Sequence, residues 1–313
     1  MPTDTADIRS VFEATPLESA ALAEVAVLDT SETVVAFELA GIDPLAAWRC
    51  ARERVRDTGR WPVLTLVGAG RSGAWSRVVA SEDYFSRFYF EEEERDRRRD
   101  DEPETILQAA QAVDVAGALA AIPDDTTGFL FELLDVALAE TRRRFGKAPV
   151  VDDPGEFLLR ELIYDQHALE RWFFEWERRN GTDALQLAGD GLAHLEWFAP
   201  PPEEQALLLL PSARHWEAPA YIHWFGALRC NSQTIVALLR EWHARFGAEL
   251  VAHYGTILQF GVARPPATPE AAFELAWQQH VVAPCTTLLP GVSVRNHARA
   301  LLHAQRWFLH ERP

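Results

Sequence analysis

The chain has 313 residues, 48% of them hydrophobic, with 11 tryptophans, enough apolar material for about two domain cores at ordinary domain size. Forty-seven Asp and Glu against 30 Lys and Arg leave a formal charge of -17, which argues against a nucleic-acid binder and suits a basic protein partner. Cys50, Cys230 and Cys285 are too few and too scattered for a disulfide framework or a cysteine zinc site, and no apolar run reaches membrane-spanning length.

Without a basic leader at its start, the chain is expected to be cytoplasmic, with reduced thiols and no membrane segment. Residues 1–20 are polar and alanine-rich, with no clear period. Val25 to Leu28 and Val34 to Leu39 predict two strands, the second alternating at Val35, Phe37 and Leu39. Asp43-Pro44 has the N-cap and N1 chemistry that opens a helix, and Leu45, Trp48, Ala51 and Val55 carry it toward Gly59. After Trp61-Pro62, the apolar run Val63 to Val67 predicts a buried strand.

Gly68-Ala69-Gly70-Arg71-Ser72-Gly73 spells G-x-G-x-x-G, whose amides cradle a pyrophosphate when a helix follows. No clean amphipathic helix begins at Ala74, so the glycines are read as a flexible loop and no cofactor is expected. The aromatic cluster Tyr84 to Phe90 precedes a mixed-sign run, Glu91 to Asp101, expected to be solvated. Ile106, Ala109, Val113 and Leu119 predict one helix, and Phe129 to Phe145 another, capped by Thr126 or Thr127. Lys147 to Pro154 is the predicted boundary, giving an N-terminal α+β module at 1–150 and a C-terminal module at 151–313.

Phe157 to Arg179 predicts one long helix closed by Gly181, with Leu158, Leu162, Leu169, Trp172 and Trp176 among its apolar positions. Glu161, Asp165, His167 and Glu170 lack the paired Glu-x-x-His of a di-iron bundle and are read as helix-surface ion pairs. His194 to Phe198 and Ala206 to Leu210 are strand candidates on either side of Pro200-Pro201-Pro202.

The local signals agree best from Pro219 to Thr268. Ile235, Leu238, Leu239, Trp242 and Phe246 form an apolar helix stripe, Asn231 or Ser232 caps its start, and Gly247 ends it. Glu249 to Ala252 and Thr256 to Ala263 form a hairpin turning near Gly255, and Trp242 should pack on its Leu258, Phe260 and Val262 face. Arg264-Pro265-Pro266 stops the second strand. Thr268-Pro269-Glu270 opens a helix with Phe273, Ala276, Trp277 and His280 inside. The predicted class is α+β, mixed helices with an antiparallel sheet and a C-terminal helix-hairpin-helix module.

The runs Pro219-Ala220-Tyr221, Phe225-Gly226, Trp242-His243, Phe246-Gly247-Ala248-Glu249 and Val262-Ala263-Arg264-Pro265-Pro266 resemble the bacterial family known as domain of unknown function 4253. The similarity continues through Leu275-Ala276, His297 to Leu302 and Trp307-Phe308, covering the last third of the chain. A Cys-Pro-Asp step of that family stands here as Pro284-Cys285-Thr286. The resemblance implies no established activity.

Of the ten histidines, His215, His223, His243, His253, His280 and His297 fall in or near this region. No H-x₃-H or C-x₂-C pair accompanies them, so no metal site is expected; His303 and His310 are spaced to share a helix face. No nucleophile elbow, P-loop or kinase set occurs. The leading functional expectation is non-enzymatic recognition of a basic macromolecular partner, of inhibitor or immunity type, from the acidity and the surplus of Trp and Tyr. The alternative is an enzyme with His223, His253, Arg264, Cys285 or His297 around a pocket beside the hairpin, Arg264 clamping an anion and a histidine moving protons. No oligomeric state is assigned.

Overall fold

The computed structural model describes residues 5–27, 30–66, 102–123, 127–182, 184–187, 191–222 and 224–311. The Gly68–Gly73 loop, the Tyr84–Phe90 cluster and the Glu91–Asp101 run lie outside the described residues. In chain order the strands are β1 (Leu22–Ala26), β2 (Thr33–Glu38), β3 (Trp61–Leu66), β4 (Gln205–Leu210), β5 (Ala248–His253), β6 (Ile257–Val262) and β7 (Arg306–His310). The described helices of seven or more residues are α1 (Thr5–Val11), α2 (Pro44–Glu53), α3 (Pro103–Ala109), α4 (Leu130–Phe145), α5 (Pro154–Arg160), α6 (Gln166–Asn180), α7 (Ser232–Phe246), α8 (Pro269–Val282) and α9 (Val294–Leu301). The class is α+β, and no described helix is long and apolar enough to cross a membrane.

Two compact units form. The first joins Met1–Ala118, Glu196–Arg264 and Arg306–Pro313; the second joins Leu119–Leu195 and Pro265–Gln305.

In the first unit seven strands make one mixed sheet in the order β1-β2-β4-β3-β5-β6-β7. Neighbours are antiparallel except β3 with β5. All six positions of β4 are buried, which is why after Gln205 its sequence is a continuous apolar run, Ala206–Leu210, rather than an alternating one. Leu207 of β4 opposes Phe37 of β2 on one side and Leu64 of β3 on the other. The face carrying Val35, Phe37, Leu64, Leu207 and Leu209 packs on Ile8 of α1, on Phe12 just after it, and on Ala47 and Ala51 of α2. α2 begins where the Asp43 carboxylate accepts from the Ala46 amide at 2.6 Å, with Pro44 in the first turn. α1 falls in the stretch without a visible period, because one buried pair four residues apart, Ile8 and Phe12, is too short to display one.

On the opposite face lies α7. Asn231 caps it by accepting from the Thr234 amide at 3.0 Å, and Gly247 ends it at φ +59°, both as predicted. Trp242 is 1% exposed and meets Trp307 and Phe260 edge-on, with ring centroids 5.6 and 6.2 Å apart. The β5–β6 hairpin turns through Gly255 and carries a bulge: Leu250 opposes Phe260 and Ala252 opposes Gln259, leaving Val251 as the extra residue. Val251 and Ala252 therefore both enter the core on the α2 face.

The described part of the second unit is helical, with Leu134, Ala137, Phe157, Leu158, Ile163, Leu169 and Phe173 as a core cluster. Here the single helix predicted over Phe157–Arg179 is two, α5 and α6. Leu162 takes φ +56°; its amide bonds Leu159 O at 3.3 Å and the Ile163 amide bonds Leu158 O at 2.9 Å. Those two bonds close a helix around a left-handed residue just past its end. Asp165 then caps α6 by accepting from the Ala168 amide at 2.7 Å. The corner is hidden in the sequence because leucine, not glycine, occupies the left-handed position, and Leu162 is exposed rather than an inner apolar position.

Four smaller expectations also change. The helix predicted through Ile106 and Leu119 is divided into α3 and a short helix, Val115–Ala120. α4 starts from a 3₁₀ turn, Thr127–Phe129, without a side-chain cap, and His194–Phe198 forms no strand, since Ala193–Leu195 is a 3₁₀ turn. His310 lies on β7 and His303 outside any helix, so they share no helix face.

Trp242→Ala removes the ring that seats α7 on the hairpin and is expected to cost about 3–5 kcal/mol. Urea unfolding of the variant would show this as a lowered midpoint, and an unchanged midpoint would contradict the packing described.

Candidate functional site

The hairpin face turned toward α2 has a gap. Gly261 opposes Glu249 in the sheet register and contributes no side chain there. The resulting cavity of about 470 Å³ is walled by Trp48 and Arg49 of α2, by Trp197, and by His243, Glu249 and Arg264. A second cavity of about 490 Å³ shares His243 and Glu249 and reaches Arg52, Trp61, His215 and Trp216.

Two bonded pairs stand where the cavities meet. Glu249 takes a bidentate salt bridge from Arg52, at 2.5 and 3.0 Å, and the Arg52 guanidinium lies 4.7 Å from the centroid of the Trp61 ring. His215 is buried, and its Nδ1 accepts from the Leu250 amide at 3.4 Å. His215 Nε2 faces His243 Nδ1 at 2.9 Å, and that Nδ1 also lies 3.3 Å from Ala248 O. Burial, then the neighbouring His243 and Arg52 charges, hold the His215 pKa well below the ordinary imidazole value, so this ring is neutral at neutral pH.

The sequence candidates distribute as follows. Arg264 reaches the first cavity, donating from Nη2 to Ala244 O at 3.2 Å. His253 is buried at the far end of the hairpin, opposite Leu258, about 20 Å of strand away from Arg264, so the two do not share a site. Cys285 begins a short helix, Cys285–Leu288, and His297 is buried on α9, both in the second unit. His223 lies outside the described residues. His243 is the histidine that accompanies Arg264. Its signal in the sequence was its place in the last turn before Gly247, which aims a helix residue back at the start of the next strand.

The second unit holds a different polar cluster. Arg295 of α9 is buried and bonds Glu140 of α4, and Glu170 and Glu177 of α6 at 2.7 and 3.1 Å. Buried Arg299 bonds Glu177 as well, along with Ala184 O at 2.6 Å and Asn296 Oδ1 at 2.7 Å. Glu170, read from the sequence as a helix-surface charge, is thus a buried partner. Burial raises its pKa, against the pull of Arg295. At Glu177 burial also raises, but Arg295 and Arg299 outweigh it, and the pKa lies below the usual carboxylate value. Beside this cluster His297 Nε2 faces Gln279 Oε1 at 2.9 Å, so its Nδ1 accepts from His194 Nε2 at 2.9 Å. Burial lowers His194 from the usual 6.5 to about 4.

The outer side of the second unit is apolar where a surface is ordinarily polar. Phe129, Phe131 and Val136, along α4 and the turn before it, are more than half exposed, as are Leu159, Leu162 and Tyr164 at the end of α5. Exposed Glu132 and Asp135 flank the first group; Asp152 and Glu156 precede the second.

Residues 206–310, about a third of the chain, match the family model described as Domain of unknown function (DUF4253). The matched span supplies β4 to β7 and α7 of the first unit and α8 and α9 of the second. Neither the curated proteins nor the solved structures compared with the chain gave a match.

Removing Arg295 by Arg295→Met leaves Glu140, Glu170 and Glu177 without their shared cation and is expected to cost about 3–5 kcal/mol in chemical unfolding. His194 titrates lower in the folded chain than in the unfolded one, so its contribution is complete above pH 6.5 and is lost as pH falls toward about 4. A stability-against-pH curve should fall through that window for the wild type and flatten in His194→Gln; identical curves would assign the acid loss elsewhere.

Proposed function

We propose that this chain acts by recognising a basic protein, as an inhibitor or immunity-type protein does, through the α4–α5 face of its second unit. The observation that carries the reading is Leu162. A non-glycine residue in the left-handed region costs about 1–2 kcal/mol, and here the residue is leucine, at φ +56° and 67% exposed. The two capping bonds and the buried Ile163 hold that backbone in place, and they leave the Leu162 side chain presented to solvent, where a partner's surface would cover it.

Supporting it, Phe131 and Tyr164 are the rigid aromatic type that anchors interfaces, and they are 55% and 59% exposed. The exposed carboxylates Glu132 and Asp135 on α4 and Asp152 and Glu156 around the start of α5, with the exposed Arg160 already paired to Glu161 and a chain net charge of -17, favour positive charge on the other side. Such binding weakens with salt, since exposed charges are screened beyond about 8 Å at physiological ionic strength.

The test uses immobilised wild-type chain and the Phe131→Ser/Leu162→Ser variant in extract of the cells that make it. A basic protein held by the wild type at low salt and at least tenfold weaker by the variant, with unchanged melting, is the expected result. Equal retention by both, or no retained protein, would refute the reading. Leu162→Gly separates strain from contact: it should match or exceed wild-type stability by up to about 1 kcal/mol while weakening capture.

A further inference from the structure

We propose that the cavity between α2 and the β5–β6 hairpin binds a small planar anion, its ring against the indoles of Trp48 and Trp197 and its carboxylate or phosphate on Arg49 and Arg264. The site is separate from the α4–α5 face and stands on different residues.

The walls are fixed and apolar. Trp48 donates its indole N–H to Pro62 O and Trp197 donates its own to Trp307 O, each at 3.0 Å, so both donors are used and the rings offer the cavity hydrocarbon surface. The floor is open because residue 261 is glycine; at about 470 Å³ the space suits a single or fused ring.

The charge is the second argument. On a chain of net charge -17, the two uncompensated side chains at this cavity, Arg49 and Arg264, are cations, and neither has an ion pair among the described residues. The carboxylate present, Glu249, is neutralised by its bidentate bond to Arg52. Guanidinium groups bind carboxylate and phosphate through paired N–H donors and lie flat on aromatic rings, which is the combination a planar anion needs.

A nucleotide and an aromatic carboxylate share this chemistry, and the probes distinguish them. Isothermal titration of the full chain with adenosine monophosphate, benzoate, adenosine and inorganic phosphate should show binding of at least one planar anion. Adenosine and phosphate, each lacking one half of the recognition, should bind at least tenfold more weakly. Preference for the monophosphate identifies a nucleotide, and preference for benzoate an aromatic acid.

Arg49→Gln/Arg264→Gln should weaken binding at least tenfold. Gly261→Leu should abolish it while leaving the fold intact, because a Cβ at 261 meets only Val251 Cγ2, at 3.8 Å. Should Gly261→Leu fail to fold, the arginine variants decide, since both side chains are exposed. No planar anion binding at millimolar concentration overturns the proposal, as does inorganic phosphate binding as tightly as the monophosphate. Binding undiminished in the folded variants overturns it too.

Discussion

Strand β4 is buried on both faces, so none of its amides or carbonyls can be left to water, and each must be matched by a neighbouring strand. The chain meets this demand by inserting β4 between β2 and β3, two strands that precede it by more than a hundred residues. Everything in the first unit follows from that insertion. With β4 and β3 covered on one side by α1 and α2, the parallel addition of β5 carries the sheet outward to the hairpin and β7, and α7 closes the other side over Trp242, Phe260 and Trp307. The cavity beside α2 is a product of the same layering. It exists where a sheet that is otherwise filled residue by residue has glycine at position 261.

The second unit is organised by charge as well as by its apolar core. A guanidinium taken out of water is stabilised there only if its donors are satisfied, and Arg295 finds three carboxylates from two helices, while Arg299 shares one of them. Such a cluster adds little net stability over a well-packed apolar equivalent, but a shift of α4, α6 or α9 by even one turn would strand a buried charge. The network therefore fixes how the three helices sit together. The inner sides of α4 and α5 are committed to Leu134, Ala137, Phe157 and Leu158, while Phe131, Val136 and Leu159 are more than half exposed.

The units thus present opposite surface chemistries: apolar groups among carboxylates on one, and guanidinium groups without an ion pair among the described residues, beside indoles, on the other. Neither follows from the overall charge. The net acidity sets the long-range field, whereas each recognition chemistry is decided by which few charges are left uncompensated at a particular place.

The elements whose causes lie within a turn or two of chain could be read from the residues alone. The caps at Asp43, Asn231 and Thr268, the left-handed glycine at Gly247, the turn at Gly255 and the Trp242 stripe are all local, and each was legible with nearly correct bounds. So was the likeness of the last third to the domain of unknown function 4253 model, which residues 206–310 carry. The break at Leu162 was not, because its usual marker, glycine, is absent and the strain is held by a buried Ile163. The strand order, the pairing of Arg295 with Glu140, Glu170 and Glu177, and the meeting of Arg264 with Arg49 and His243 emerge from the folded chain and not from any one stretch of it. Each of these joins segments far apart in the chain, and such partners are chosen by burial and hydrogen-bond satisfaction of the whole fold, which leave no periodicity or spacing in the residues on either side.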